Sequence, residues 1–127
     1  MVNTHTEINP KFSGEVVKNS KDYAKVKLVT TKEMVADKEG LIHGGFIFSA
    51  ADYAAMVAIN EPNVVLAKAE VKFLAPSRVG DILIFEAKVI EKDGPKAKVE
   101  VIGYLEDKEV FKGIFSTFVT KKHVLEA

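Results

Sequence analysis

His43-Gly44-Gly45 stands nine positions ahead of a lone carboxylate, Asp52, and the run between them is otherwise nearly apolar. From Gly45 to Ile59 the chain reads GFIFSAADYAAMVAI, and only Ser49, Asp52 and the Tyr53 hydroxyl bring polar side-chain groups. A segment apolar on every side reads as a buried helix. A carboxylate inside such a helix is costly unless it is paired or takes a proton. That cost marks Asp52 as a candidate general base. The two glycines open the helix, where the first amides lack internal partners and the helix dipole is positive. A carbonyl placed at Gly44 would be polarised there, and an oxyanion formed from it stabilised. Gly45 lets a ligand come close to the backbone.

Gly44 and Asp52 lie roughly 11–12 Å apart along one helix at about 1.5 Å per residue. They cannot serve one carbonyl from a single chain. An antiparallel helix from a second copy would bring its own Asp52 to this Gly44. Each of these residues also has a plainer reading. His43 caps the helix or touches substrate. Asp52 is a structural carboxylate or a base. Gly44-Gly45 alone is a common loop-to-helix device.

The elements that must hold these residues follow from composition and periodicity. The chain has 127 residues, 47% of them apolar, which is the size and makeup of one folded domain. Its formal net charge is zero, which suggests no bulk partnership with nucleic acid or anionic membrane. There is no cysteine, so disulfides and thiolate chemistry are excluded, in keeping with a cytoplasmic setting. His5, His43 and His123 are scattered and lack metal-ligand spacing. The first residues, MVNTHTEINPK, do not have the layout of a signal peptide. The apolar helix is too short to span a bilayer.

Residues 1–11 read as a loose arm ahead of one domain over 12–127. Strands are expected at 12–18 and 22–30, around the turn Asn19-Ser20-Lys21. A polar connection over 31–42 leads to the helix at 45–59, stopped by Asn60-Glu61-Pro62. Four strands then follow as a meander, at 64–75, 82–91, 97–105 and 109–120. In the first of these, Val65, Ala67, Ala69, Val71 and Phe73 alternate with Lys68, Glu70 and Lys72. An antiparallel sheet with one apolar face wraps a helix. One sheet covers one side only, so a second copy is expected to cover the other. The outer sheet face carries Lys68, Glu70, Lys72, Lys96, Lys98 and Glu100, with Ile82, Ile84, Ile102 and Tyr104 beside them. The charged residues disfavour stacking of dimers through that face, while the apolar ones leave a dimer of dimers open.

His43-Gly44-Gly45-Phe46-Ile47-Phe48-Ser49-Ala50-Ala51-Asp52 resembles the hotdog-fold acyl-CoA thioesterases, nearest to the phenylacetate-pathway (PaaI-like) group with its HGG-x-x-x-x-L-A-D motif. Phe73-Leu74-Ala75-Pro76 and Val79-Gly80-Asp81 are similar to that family's F-L-x-P…x-G-D segment. The resemblance implies an α+β hotdog fold, a long helix wrapped by a curved antiparallel sheet. It implies homodimers joined sheet edge to sheet edge, with sites at the interface. The site would take the Gly44 amide from one subunit and Asp52, as base or nucleophile, from the other. No cofactor is implied beyond coenzyme A as part of the substrate. The chain departs from the pattern at Asp37, where many relatives have asparagine, six positions before the histidine. An ionised carboxylate there accepts hydrogen bonds from water but donates none. It departs again at Leu66, where some relatives have serine or threonine.

Two functions from different classes follow. The first is hydrolysis of an acyl-CoA thioester to free acid and coenzyme A. The second is a non-catalytic acyl-CoA-binding module, as in the ligand-binding domain of the fatty-acid regulator FapR. The segment before Phe12 is too short for a DNA-binding domain, so a sensor of that kind is expected to act through a partner protein. A hotdog dehydratase is disfavoured, because its histidine-containing loop motifs are absent.

Overall fold

The computed structural model describes residues 1–126. A short helix α1 (Pro10–Ser13) precedes strands β1 (Glu15–Ser20) and β2 (Tyr23–Val29). The long helix α2 (Gly44–Ile59) is followed by β3 (Val64–Phe73), β4 (Ile82–Asp93), β5 (Lys96–Leu105) and β6 (Lys108–Val119). Short 3₁₀ turns lie at Lys32–Met34 and Val124–Glu126. The strands form one six-stranded sheet in the order β1-β2-β4-β5-β6-β3, antiparallel at every pair. The sheet wraps α2, which is the hotdog arrangement.

Helix α2 ends at Asn60, in the left-handed conformation at φ 55°, whose N–H caps the Met56 carbonyl at 2.8 Å. Its apolar run accounts for its burial: Ala50, Ala51, Ala54, Ala55, Met56 and Val57 are wholly inaccessible. Alanines let the helix sit close to the sheet. Leu83, Phe85, Ala87 and Val89 of β4 and Val99 and Val101 of β5 face it, as the alternation predicts.

Several expectations change. First, the last four strands are not a simple meander. Strand β3 pairs with β6 rather than β4 and lies at the sheet edge. Residues 74–81 carry the chain away from it, tied by a bridge between Leu41 and Arg78. Second, a bulge between Leu66 and Lys68 breaks the alternation of β3. A bulge adds one residue and reverses which side chains face inward. Val64 and Leu66 therefore join Ala69 and Val71 against the core, while Ala67 is exposed.

Third, the N-terminal arm is not loose. Asn60 accepts from the Asn3 N–H at 2.7 Å and donates to the Met1 carbonyl at 2.8 Å. Thr4 is buried, and Val2, Ile8 and Phe12 pack against the core. Residues 12 and 13, expected as strand, belong to α1, where Asn9 caps the start and Pro10 supplies a helical φ. The arm thus covers much of α2 that the single sheet leaves open, so burial of the helix does not require a second copy. The first hairpin also turns at Lys21-Asp22, with Asp22 at φ 59°, rather than at 19–21.

Candidate active site

The chain enters α2 through a small network. The His43 N–H donates to the Met34 carbonyl at 2.9 Å, and the Ile42 N–H donates to the Ser77 carbonyl at 2.8 Å. Met34 is fully buried within a segment that reads as polar connection, and it anchors the turn that aims the helix start. A methionine among polar residues was the available signal for it.

His43 occupies the N-cap position, but its side chain caps nothing. Its ring stands edge-on to Phe46 at 6.2 Å and lies over Gly45, where an added Cβ would meet ring atoms at 3.1 Å. At Gly44 the nearest atoms belong to a different ring. A Cβ there would meet the Phe73 ring at 3.3 Å. Neither glycine has a positive φ, so close approach rather than unusual backbone is what both supply. Among the described residues, neither of their N–H groups donates to a protein acceptor. The helix start is therefore open for hydrogen bonding to a ligand oxygen.

Asp52 lies two turns along, on the part of α2 that remains partly accessible with Gly45, Phe48 and Ser49. One of its carboxylate oxygens, Oδ1, is buried without a hydrogen-bond partner. Burial pushes the Asp52 carboxyl from the ordinary 3.8 up to about 6. No helix-start amide reaches it to lower that value, so desolvation decides the direction. The Thr31 and Ser77 hydroxyls are also buried and unpartnered, but neither carries charge. Ser49, one turn before Asp52, bonds to the Ser13 hydroxyl of α1 at 2.7 Å. Periodicity gives no hint of that contact between distant segments.

Asp37 is exposed and turns its own loop. Its Oδ1 accepts from the Glu39 N–H at 2.9 Å and the Leu41 N–H at 3.2 Å. Leu66 is half-buried against the core. Within one chain the structure brings His43, Gly44 and Gly45 together and leaves Asp52 remote from them by about 12 Å of helix. Among the described residues no cluster of three or more histidine, aspartate or glutamate side chains has metal-binding geometry. No described helix is long and apolar enough to cross a membrane.

Residues 39–112 match the family model of the thioesterase superfamily. Among curated proteins, 116 residues are 53% identical to methylthioribose-1-phosphate isomerase of Aquifex aeolicus, covering 91% of this chain but 25% of that protein. Transcription factor FapR of a Thermoanaerobacter species is 38% identical over 85 residues, 67% of this chain and 42% of that protein. The chain thus spans well under half the length of these two relatives. Among solved structures, an uncharacterized protein from Pyrococcus horikoshii superposes with a TM-score of 0.97 at 48% identity, over 98% of this chain and 96% of that one. A hypothetical thioesterase from Streptococcus pneumoniae, solved with coenzyme A, superposes at 0.81 and 19% identity, over 91% and 93% of the two chains. At that identity the likeness is one of fold.

Proposed function

This chain belongs to the thioesterase superfamily, and we propose that it hydrolyses an acyl-CoA thioester to the free acid and coenzyme A. The observation that carries the reading is Asp52. It is the one carboxylate on the buried helix, its Oδ1 has no partner, and burial lifts it to about 6. A carboxylate with a pKa near 6 is mostly ionised at neutral pH yet basic enough to take a proton from water.

The site is composite in this reading. The Gly44 N–H and the positive end of α2 receive the thioester carbonyl. Asp52 of a second copy takes a proton from water as the water adds to the carbonyl carbon. The oxyanion so formed is held at the helix start. Its collapse breaks the carbon–sulfur bond, and the proton returns to the departing thiolate. Two features favour a homodimer. Strand β3 presents a ten-residue free edge, a template for pairing with another chain. Gly44 and Asp52 are also too far apart to act on one carbonyl within a chain. His43 and Gly45 border the carbonyl position. Asp37 shapes the loop leading to it, through the Glu39 and Leu41 amides.

A second reading is a non-catalytic acyl-CoA-binding module. The 38% identity to FapR favours it, as does the tying of the Asp37 Oδ1 to its own loop. Steady-state hydrolysis of acetyl, medium-chain, long-chain and aryl CoA esters, with calorimetric binding of each, separates the two. Turnover of any ester supports the hydrolase. Tight binding of esters with turnover of none replaces it by the module.

A further inference from the structure

After Phe46, the partly accessible residues of α2 are Phe48, Ser49 and Asp52, and residues 53–58 are buried. Ser49 and Asp52 are thus the polar side chains of one open stripe. They stand three positions apart on one face of the helix, with Cβ atoms about 5–6 Å from each other. Helical side chains lean toward the N-terminus, so the Asp52 carboxylate leans over the turn that holds Ser49. Among the described residues no group bonds to either carboxylate oxygen; Oδ1 is buried and Oδ2 is left open. Ser49 itself bonds to Ser13 of α1, hydroxyl to hydroxyl at 2.7 Å. That pair uses one of two protons. Ser13 is 5% exposed, and among the described residues its hydroxyl has no other partner. Were Ser49 the donor, the Ser13 proton would meet no protein acceptor and little solvent, which is costly. Ser13 is therefore the donor and Ser49 the acceptor. The Ser49 proton is left free, bonded to no carbonyl of the preceding turn, on the stripe shared with Asp52.

We propose that Ser49 is a positioning residue for the attacking water, its free hydroxyl donating to the same water whose proton Asp52 takes. This rests on the reading of Asp52 as the base. One water held by two hydrogen bonds of about 2.8 Å each reaches across about 5–6 Å, comparable to the spacing of the two residues along the helix. Held so, the water gives one proton to Asp52 and accepts from Ser49 through one lone pair. Its other lone pair is kept for the carbonyl carbon. The new carbon–oxygen bond forms as the O–H bond facing Asp52 breaks, and Ser49 keeps its own proton throughout. Ser13 acts one step further back. It holds the Ser49 oxygen, so that the Ser49 proton does not turn to a backbone carbonyl, the competing partner of a helical serine.

The test compares wild type, Ser13→Ala and Ser49→Ala. Both substitutions break the same hydroxyl pair, so both should loosen α1, read as faster amide exchange in residues 10–14. Only Ser49→Ala takes the hydroxyl from the water. On the ester that wild type turns over fastest, Ser49→Ala should lower kcat about tenfold, the scale of one hydrogen bond, with KM near its wild-type value. Ser13→Ala should keep most of its turnover. Equal losses of kcat in the two variants would reduce Ser49 to a docking contact, and an unchanged kcat in Ser49→Ala would overturn the proposal outright. Crystals of wild type and Ser49→Ala give a readout that needs no turnover. Wild type should hold an ordered water about 2.6–3.2 Å from both the Ser49 Oγ and an Asp52 carboxylate oxygen, and Ser49→Ala should lose or displace it. If that water is present but no ester is hydrolysed, the hydrolase reading fails while the placing of water by Ser49 stands. A wild type without the water, or an alanine variant that keeps it in place, would overturn the proposal.

Discussion

The hydroxyls of Ser13 and Ser49 meet at 2.7 Å, joining the N-terminal mini-helix to the long helix one turn ahead of Asp52. Ser13 is buried, so its hydroxyl depends on this partner. Replacing Ser13 with alanine leaves the half-buried Ser49 hydroxyl without it, at a cost of about 1 kcal/mol. The expected result is a small fall in the urea midpoint. Amide exchange in residues 10–14 should accelerate. Unchanged exchange there would show that Phe12 and the Asn9 cap hold α1 without the hydroxyl pair.

Asp52→Asn keeps the shape of the side chain and removes the base. Hydrolysis should fall by at least about 10²-fold, the lower end for loss of general acid–base catalysis, while acyl-CoA still binds. In wild type, kcat/KM should rise through about pH 6 as the carboxyl ionises, then level off. Undiminished turnover in the mutant refutes the assignment.

The same group makes a stability prediction of opposite sense. Its folded pKa, about 6, lies above the ordinary 3.8, because burial penalises the charged form. The stability associated with the protonated carboxyl is complete below pH 4 and is lost as pH rises through 6. Asp52→Asn, which cannot ionise, should therefore melt higher than wild type at pH 7–8. The difference should vanish near pH 4. A mutant that melts lower than wild type at pH 8 would assign Asp52 a stabilising structural role.

Asp37 can be separated into loop-maker and participant. Asparagine retains a side-chain oxygen able to accept from the Glu39 and Leu41 amides. Asp37→Asn should keep or raise turnover, and Asp37→Ala should lower it and cost about 1 kcal/mol through the lost acceptor. Equal rates and equal midpoints for all three proteins would make the position a bystander.

The composite site can be tested by complementation. Gly44→Val crowds the helix start against Phe73, and Asp52→Asn disables the base. Each variant alone should be inactive. Subunit exchange between them creates hybrids in which one site carries both lesions and the other carries neither. Random mixing should restore about a quarter of wild-type activity, since about half the dimers are hybrids with one intact site of two. No recovery despite measured exchange would reject sharing of the site.

What the sequence determined alone was local in its physics. A fifteen-residue apolar run with asparagine and proline behind it specifies the long helix, which the structure places at Gly44–Ile59. The unbroken alternation of Leu83, Phe85, Ala87 and Val89 specifies the inward face of β4. A carboxylate in an apolar helix announces its own desolvation cost, and Asp52 is legible for that reason. Tertiary structure decided whatever depends on a partner far along the chain. No pattern within β3 says that its neighbour is β6, and one extra residue at its bulge reverses which of Val65 and Leu66 faces the core. Phe73 is legible as a strand residue and as the start of the Phe73-Leu74-Ala75-Pro76 segment, but only the β3–β6 pairing carries its ring to Gly44. The arm reads as loose because its apolar residues, Val2, Ile8 and Phe12, have no period. They are ordered by the core surface they pack against, which is assembled from segments far along the chain.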